Sequence, residues 1–299
     1  MTRRCQTLRT PADFAFIPAA SSYGFCYLLP TCWDPARAAL ETVAPVDDAR
    51  AETVRVVQTA PGAIRVCGEH PQRSAIARRM LRLDEDLSGF HAICRTQPGF
   101  DTAAAMRFGR LVRSASLFED IVKTLCTCNT TWRQTQQVVA RLCQCYGPAD
   151  DVGRAGFPTP ANLAAVGDRR LARETRCGYR AAWIHRLAVD AAEGRLDLPA
   201  LEQQAADPAV PTAELVRRMR QIHGVGPYAA ANLCMLLGRY EHLAIDSEMR
   251  RLYRTAGPGG RPLSDAGLRA RFQPFGPWAF LAYWYELWND HTVRSVLPV

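Results

Sequence analysis

The chain's 299 residues are enough for two domains, each with its own core. Its 48% hydrophobic and 22% charged content is that of a soluble globular protein. No apolar run approaches the roughly eighteen residues of a membrane span, and Met1-Thr2-Arg3-Arg4-Cys5-Gln6 lacks the apolar segment of a secretion signal, so a cytoplasmic protein is expected. A net charge of +8 suits a polyanionic partner. The positive charge is almost wholly arginine, with Lys123 the single lysine, a bias that genomic base composition accounts for.

The first hundred residues differ in pattern from the rest. Phe14-Ala15-Phe16-Ile17 and Tyr23 to Leu29 are short apolar and aromatic runs, and Thr53-Val54-Arg55-Val56-Val57 and Ala63-Ile64-Arg65-Val66-Cys67 flank Ala60-Pro61-Gly62, a hairpin signal. These predict an antiparallel sheet with a little helix. Arg78 to Leu87 reads as an amphipathic helix with an acidic end.

From about residue 101 helical spacing takes over. Leu117, Ile121 and Leu125 form one stripe, and Val138, Val139 and Leu142 another, stopped by Tyr146-Gly147-Pro148. Phe157-Pro158-Thr159-Pro160 opens a short helix, Tyr179 to Glu193 is a longer one, and Pro274 to Asn289 is an aromatic tail that belongs mostly to the core. The expectation is an α+β protein, with a small antiparallel-sheet domain over 1–100 followed by a mostly helical domain over 101–299.

Eleven cysteines, an odd number partly inside helical patterns, do not read as a secreted disulfide framework. Cys126-x-Cys128 and Cys143-x-Cys145 lie where helices are expected, and residues two apart on a helix point to different sides. They are poor zinc ligands.

The most informative stretch is Gln221-Ile222-His223-Gly224-Val225-Gly226-Pro227-Tyr228-Ala229-Ala230. Leu215, Val216, Met219 and Ile222 precede it on one helical face, and Ala230, Leu233, Cys234 and Leu237 follow on another. Two helices are thus joined by a Gly-x-Gly link. Both glycines are expected to supply backbone angles closed to other residues and to leave the turn bare. The turn's amides, with a helix beginning at Pro227, form a small anion site fit for a phosphate. Twenty residues after Gly226, Leu243-Ala244-Ile245 ends in Asp246, where another helix begins. Such an Asp is commonly only an N-cap, but its pairing with the hairpin at this spacing points to function.

These motifs resemble the helix-hairpin-helix superfamily of DNA glycosylases. The resemblance extends, in order, through Leu117 to Thr130, Cys177-Gly178-Tyr179-Arg180-Ala181 and Gly276-Pro277-Trp278, about two-thirds of the chain. Arg78 to Leu87 is similar to the segment closing the N-terminal domain of the 8-oxoguanine and 3-methyladenine branches. The resemblance implies that Gly224, Val225 and Gly226 hold a backbone phosphate, with a monovalent cation, sodium or potassium, at the carbonyls of Ile222 and Gly224. Tyr179 would wedge into the base stack, Asn129 and Arg180 would bond the orphaned base, and Asp246 would be the catalytic acid residue. A fixed carboxylate stabilises the positive charge that builds on the sugar, or orients the attacking water.

Relatives with lyase activity carry a lysine two residues past the second glycine, where this chain has Tyr228. That implies a monofunctional enzyme without a Schiff-base lysine, Lys123 being read as a surface residue. Tyr228 would stack on the extruded base, with Asn232, Tyr283 and Leu287 at the other pocket positions. The 8-oxoguanine branch has Cys, Gln and Phe at those three positions, so an alkylated purine is favoured. With no cysteine after Cys234, the iron–sulfur cluster of some relatives is not expected, and no other cofactor is. The partner expected is double-stranded DNA carrying a damaged base, bound by a monomer in a bacterial-type, nucleoid-associated setting. The alternatives are an oxidised-purine glycosylase with an atypical pocket and a DNA-binding protein that has lost catalysis.

Overall fold

The computed structural model describes residues 4–290. Five strands, β1 (Cys5–Arg9), β2 (Cys32–Asp34), β3 (Ala39–Pro45), β4 (Ala51–Ala60) and β5 (Ala63–Cys67), form one antiparallel sheet of order β1-β5-β4-β3-β2. β4 and β5 are the expected hairpin. Pro61 and Gly62 make its turn, with Gly62 at φ 78°, a left-handed angle that costs glycine little. Cys5 and Cys67 face each other in the β1–β5 register and are joined by one disulfide.

The runs at Phe14–Ile17 and Tyr23–Leu29 do not join the sheet. They form α1 (Phe16–Ser21) and a 3-10 turn, Gly24–Tyr27. From Ala19 to Tyr23 every residue is buried, so the burial lacks the alternation of a half-covered strand. Val54, Val56, Ile64 and Val66 give the sheet its buried face, on which α2 (Arg73–Leu81) lays Ile76, Ala77, Met80 and Leu81.

The helix expected over Arg78–Leu87 ends early. Arg82 takes a left-handed conformation at φ 53°, which turns its side chain into the interior. Helices α3 (Ser88–Cys94) and α4 (Asp101–Ala105) lead into the helical region. There α5 (Leu117–Thr127) starts at a Ser116 cap, and α6 (Trp132–Tyr146) at a capping box of Thr131 and Gln134. The short α7 (Pro160–Ala164) has the same device from Thr159 and Asn162, followed by α8 (Asp168–Thr175), α9 (Arg180–Ala192) and α10 (Leu198–Ala206). The expected hairpin is α11 (Thr212–Met219) and α12 (Pro227–Leu236), and α13 (Ser247–Leu252), α14 (Asp265–Phe272) and α15 (Ala279–Asn289) complete the chain. Among the described residues no helix is long and apolar enough to cross a membrane.

Lys123 corrects the expectation of a surface lysine. It is fully buried, with Nζ 2.7 Å from a Glu119 carboxylate oxygen and donating to the Leu28 carbonyl at 3.1 Å. The Leu117–Ile121–Leu125 stripe marks only one face of α5, whereas the structure covers the helix on nearly every side. Glu119 is buried too, and that burial pushes its carboxyl upward against the pull of Lys123.

Candidate active site

At the hairpin the two glycines serve different purposes. Gly224 sits at φ 87°, and a Cβ there would stand 2.4 Å from the Trp183 ring, so both conformation and space require glycine. Gly226, at φ −83°, is in a region open to any residue, and a Cβ on it would meet nothing within 4 Å. The expectation of unusual angles therefore holds for Gly224 alone. What Gly226 provides is a bare patch of backbone beside the N-terminus of α12. Val225 buries its side chain and donates its N–H to the Ile222 carbonyl at 3.0 Å, which closes the turn. Among the described residues the N–H groups of Gly224 and Gly226 make no hydrogen bond, and with the helix dipole behind them they form an anion-accepting edge.

Asp246 is both an N-cap and a cleft residue. One carboxylate oxygen accepts the Met249 N–H at 2.8 Å, fixing the start of α13, and the same oxygen accepts the Tyr283 hydroxyl at 3.4 Å. Burial pushes its carboxyl above the usual range, opposed by the bond from Met249. A carboxylate held by a helix cap has a fixed orientation, which suits it to act on charge developing in front of it.

The cleft has a volume of about 1150 Å³. It brings together Gly224, Gly226, Tyr228, Asn232, Asp246, Tyr283 and Leu287, residues drawn from α12, α13 and α15, with Asn129 at one side. Burial, and then the nearby Asp246 charge, push the Tyr228 phenol far up, so it stays protonated. Asn232 donates to the Tyr228 backbone carbonyl at 3.0 Å. Tyr283 and Leu287 are almost wholly buried and present only an edge. Arg251 is the one basic side chain lining the cleft among the described residues, and it is paired with Glu248 at 2.8 Å and Asp290 at 2.9 Å. The cleft is thus aromatic and mildly acidic inside a chain of net charge +8.

Tyr179 and Arg180 stand outside the cleft lining. Tyr179 is 53% exposed, packs edge-on against Trp183 with ring centroids 4.8 Å apart, and receives a hydrogen bond from the Asn129 amide at 3.3 Å. Arg180 lies 4.7 Å over the Tyr179 ring and donates to the carbonyls of Cys128, Asn129 and Cys177. Its guanidinium fastens the loop in which Asn129 adopts φ 49°. Trp183 in turn lies against Gly224 and His223, which connects the exposed tyrosine to the hairpin.

Among the described residues no cluster of histidine, cysteine and acidic groups is arranged to hold a metal. Cys126 and Cys143 are buried, and burial pushes both thiols up, Cys143 to about 12. Sequence reasoning missed Tyr23, Phe25, Trp132, Trp183 and Trp284, which also line the cleft. They come from four distant stretches of the chain, and nothing in their local spacing marks them as neighbours.

No protein-family model and no curated protein matches the sequence. Solved structures do. MBOgg1 in complex with a low-affinity DNA ligand matches with a TM-score of 0.74 at 19% identity, over 96% of this chain and 98% of the other. A 3-methyladenine DNA glycosylase from Archaeoglobus fulgidus matches with a TM-score of 0.74 at 18% identity, over 96% and 99%. The apo form of the Clostridium acetobutylicum 8-oxoguanine glycosylase/lyase gives 0.72 at 14% identity, over 96% and 97%. Over nearly its whole length the chain has the fold of the helix-hairpin-helix DNA glycosylases.

Proposed function

We propose that the protein is a monofunctional DNA glycosylase of base excision repair, which extrudes an alkylated purine from duplex DNA and hydrolyses its N-glycosidic bond. The observation that carries this reading is Asp246, a capped and partly desolvated carboxylate in the same cleft as the bare hairpin edge and the Tyr228 ring. A base inside a duplex is out of reach, so the enzyme must hold the backbone, fill the gap and receive the base. The Gly224 and Gly226 amides suit the phosphate, the exposed Tyr179 suits a wedge, and the aromatic cleft suits the base. Arg180 acts through the loop it fastens, positioning Asn129 toward the orphaned base.

The chemistry follows from charge. As the bond breaks, the sugar becomes positive and the departing purine takes the electron pair. The ionised Asp246 stabilises the sugar and orients water toward it, an effect strengthened when DNA excludes solvent. Tyr228 stands where lyase relatives have lysine, and Lys123 is buried in an ion pair with Glu119 and is not part of the cleft lining. That supports hydrolysis without a Schiff base. A purine alkylated at N3 or N7 of its nucleoside carries positive charge of its own, and a cleft of ring faces with two carboxylates and, among the described residues, no unpaired cation attracts it.

The test is base release from duplexes bearing single 3-methyladenine (or a stable analogue), 1,N6-ethenoadenine, hypoxanthine, uracil or 8-oxoguanine, each read with and without alkali. Release of the alkylated base with strand breaks only after alkali supports the proposal. A covalent adduct trapped by borohydride would overturn the monofunctional claim. Tight binding to damaged duplexes without any release would make the protein a binder.

A further inference from the structure

Trp132, the first residue of α6, reaches across the cleft to the backbone of Gly24. A Cβ built on Gly24 would stand 2.8 Å from the far edge of the indole. Gly24 is not among the residues with positive φ, so its conformation does not demand glycine. The approach of Trp132 does. Among the described residues the indole N–H of Trp132 makes no hydrogen bond, whereas the packed Trp284 donates to the Ser22 carbonyl at 2.7 Å. Trp132 is also only half-buried, while its neighbours across the cleft, Tyr23 and Phe25, are closed into the core.

Its placement is fixed from both directions. On one side the preceding loop is tied by Arg180 to the Cys128 and Asn129 carbonyls, and the Thr131–Gln134 capping box sets the first turn of α6. On the other, Gly24 belongs to the 3-10 turn that Lys123 holds through the Leu28 carbonyl. With its backbone fixed and its far edge against Gly24, the ring limits the shape of what enters, because an extra group there must displace the indole from that seat.

We propose that Trp132 is the specificity-determining side chain of this cleft, a bar seated on Gly24 that admits a purine bearing one small alkyl group and excludes one bearing a fused extra ring. The inference rests on the glycosylase reading for its substrate class, but its test requires no bond cleavage. Affinities of the full-length protein for free 3-methyladenine and free 1,N6-ethenoadenine are measured, the second by its own fluorescence and the first by competition. Wild-type protein favours 3-methyladenine. In Trp132→Ala that preference falls by about tenfold, mainly through tighter binding of ethenoadenine, the range expected for a changed steric limit in a pocket. Gly24→Ala, which pushes the indole aside, shifts the preference in the same direction by less.

A packing role alone would lower the thermal midpoint and weaken both bases together. An unchanged preference in either variant therefore overturns the proposal, as does the absence of base binding to the wild type. Base release from a 3-methyladenine duplex separates the two claims. Release with an unchanged preference removes the bar and keeps the glycosylase; a shifted preference without release keeps the bar and removes hydrolysis.

Discussion

The two ends of α12 are built on opposite plans. At the N-terminal end, the amides of Gly224 and Gly226 have no partner among the described residues, and the surface at Gly226 is bare. At the C-terminal end, Arg82 is buried and donates to the carbonyls of Met235 and Leu236 at 3.0 and 3.1 Å, and Arg113 adds a second bond to Leu236 at 3.1 Å. Arg82 also reaches the Leu111 carbonyl and Glu85, each at 2.5 Å. Every helix leaves orphan donors at one end and orphan acceptors at the other. Here the acceptors are met by guanidinium groups, which favour the negative end of the helix dipole, while the donors face an open cleft. The difference teaches where a ligand belongs: the open amides face the cleft, where a group from outside can complete them.

Four substitutions break or sharpen that contrast, from the largest effect to the smallest. Arg82→Ala leaves the Leu111 carbonyl without its side-chain donor, takes one bond each from the Met235 and Leu236 carbonyls and removes the cation paired with Glu85, and should cost about 3–5 kcal/mol in urea unfolding. A loss under about 1 kcal/mol would mean the sealed end is not a structural plug. Asp246→Asn should slow base release by about a hundredfold or more while DNA binding persists. Because burial raises the folded-state pKa of Asp246, its contribution to stability is present at low pH and is lost as pH rises through that raised value. Asparagine caps equally well without that penalty, so the variant's thermal midpoint at neutral pH should equal or exceed the wild type's. The same raised pKa predicts that wild-type release falls as pH drops through it, since the carboxylate is the active form, with an acid limb above that of an ordinary aspartate.

Gly224→Ala should cost about 2 kcal/mol, from a left-handed angle and a forced shift of Trp183. Gly226→Ala should leave stability within about 0.5 kcal/mol yet weaken binding to damaged duplex in a salt-dependent titration. Equal binding by Gly226→Ala and wild type would show that the open end contacts no phosphate.

The sites legible in the sequence were those made of neighbours. Apolar spacing marked α5, α6 and α12, Thr159 announced α7, and Pro61-Gly62 gave the β4–β5 turn. Gly224, Gly226 and Asp246 stood out because a tight turn and a helix start are set by backbone chemistry over a few residues. Local spacing was also enough to give Asp246 two readings, cap and cleft group, and the structure holds both at once.

Only the tertiary structure decided what surrounds those residues. The stripe on α5 said nothing of the turn at Gly24–Tyr27 that covers its other side and buries Lys123. Arg78 to Leu87 reads in sequence as one amphipathic helix, but the left-handed bend at Arg82 ends it and carries that side chain to the end of α12, more than 150 positions away in sequence. The cleft's ring walls come from residues as far apart as Tyr23 and Trp284, whose centroids lie 4.9 Å apart. Periodicity reports which face of an element is buried, because that depends on neighbours one turn away. Which charge is desolvated, and which ring meets which, depends on contacts between distant segments, and those exist only once the chain has folded.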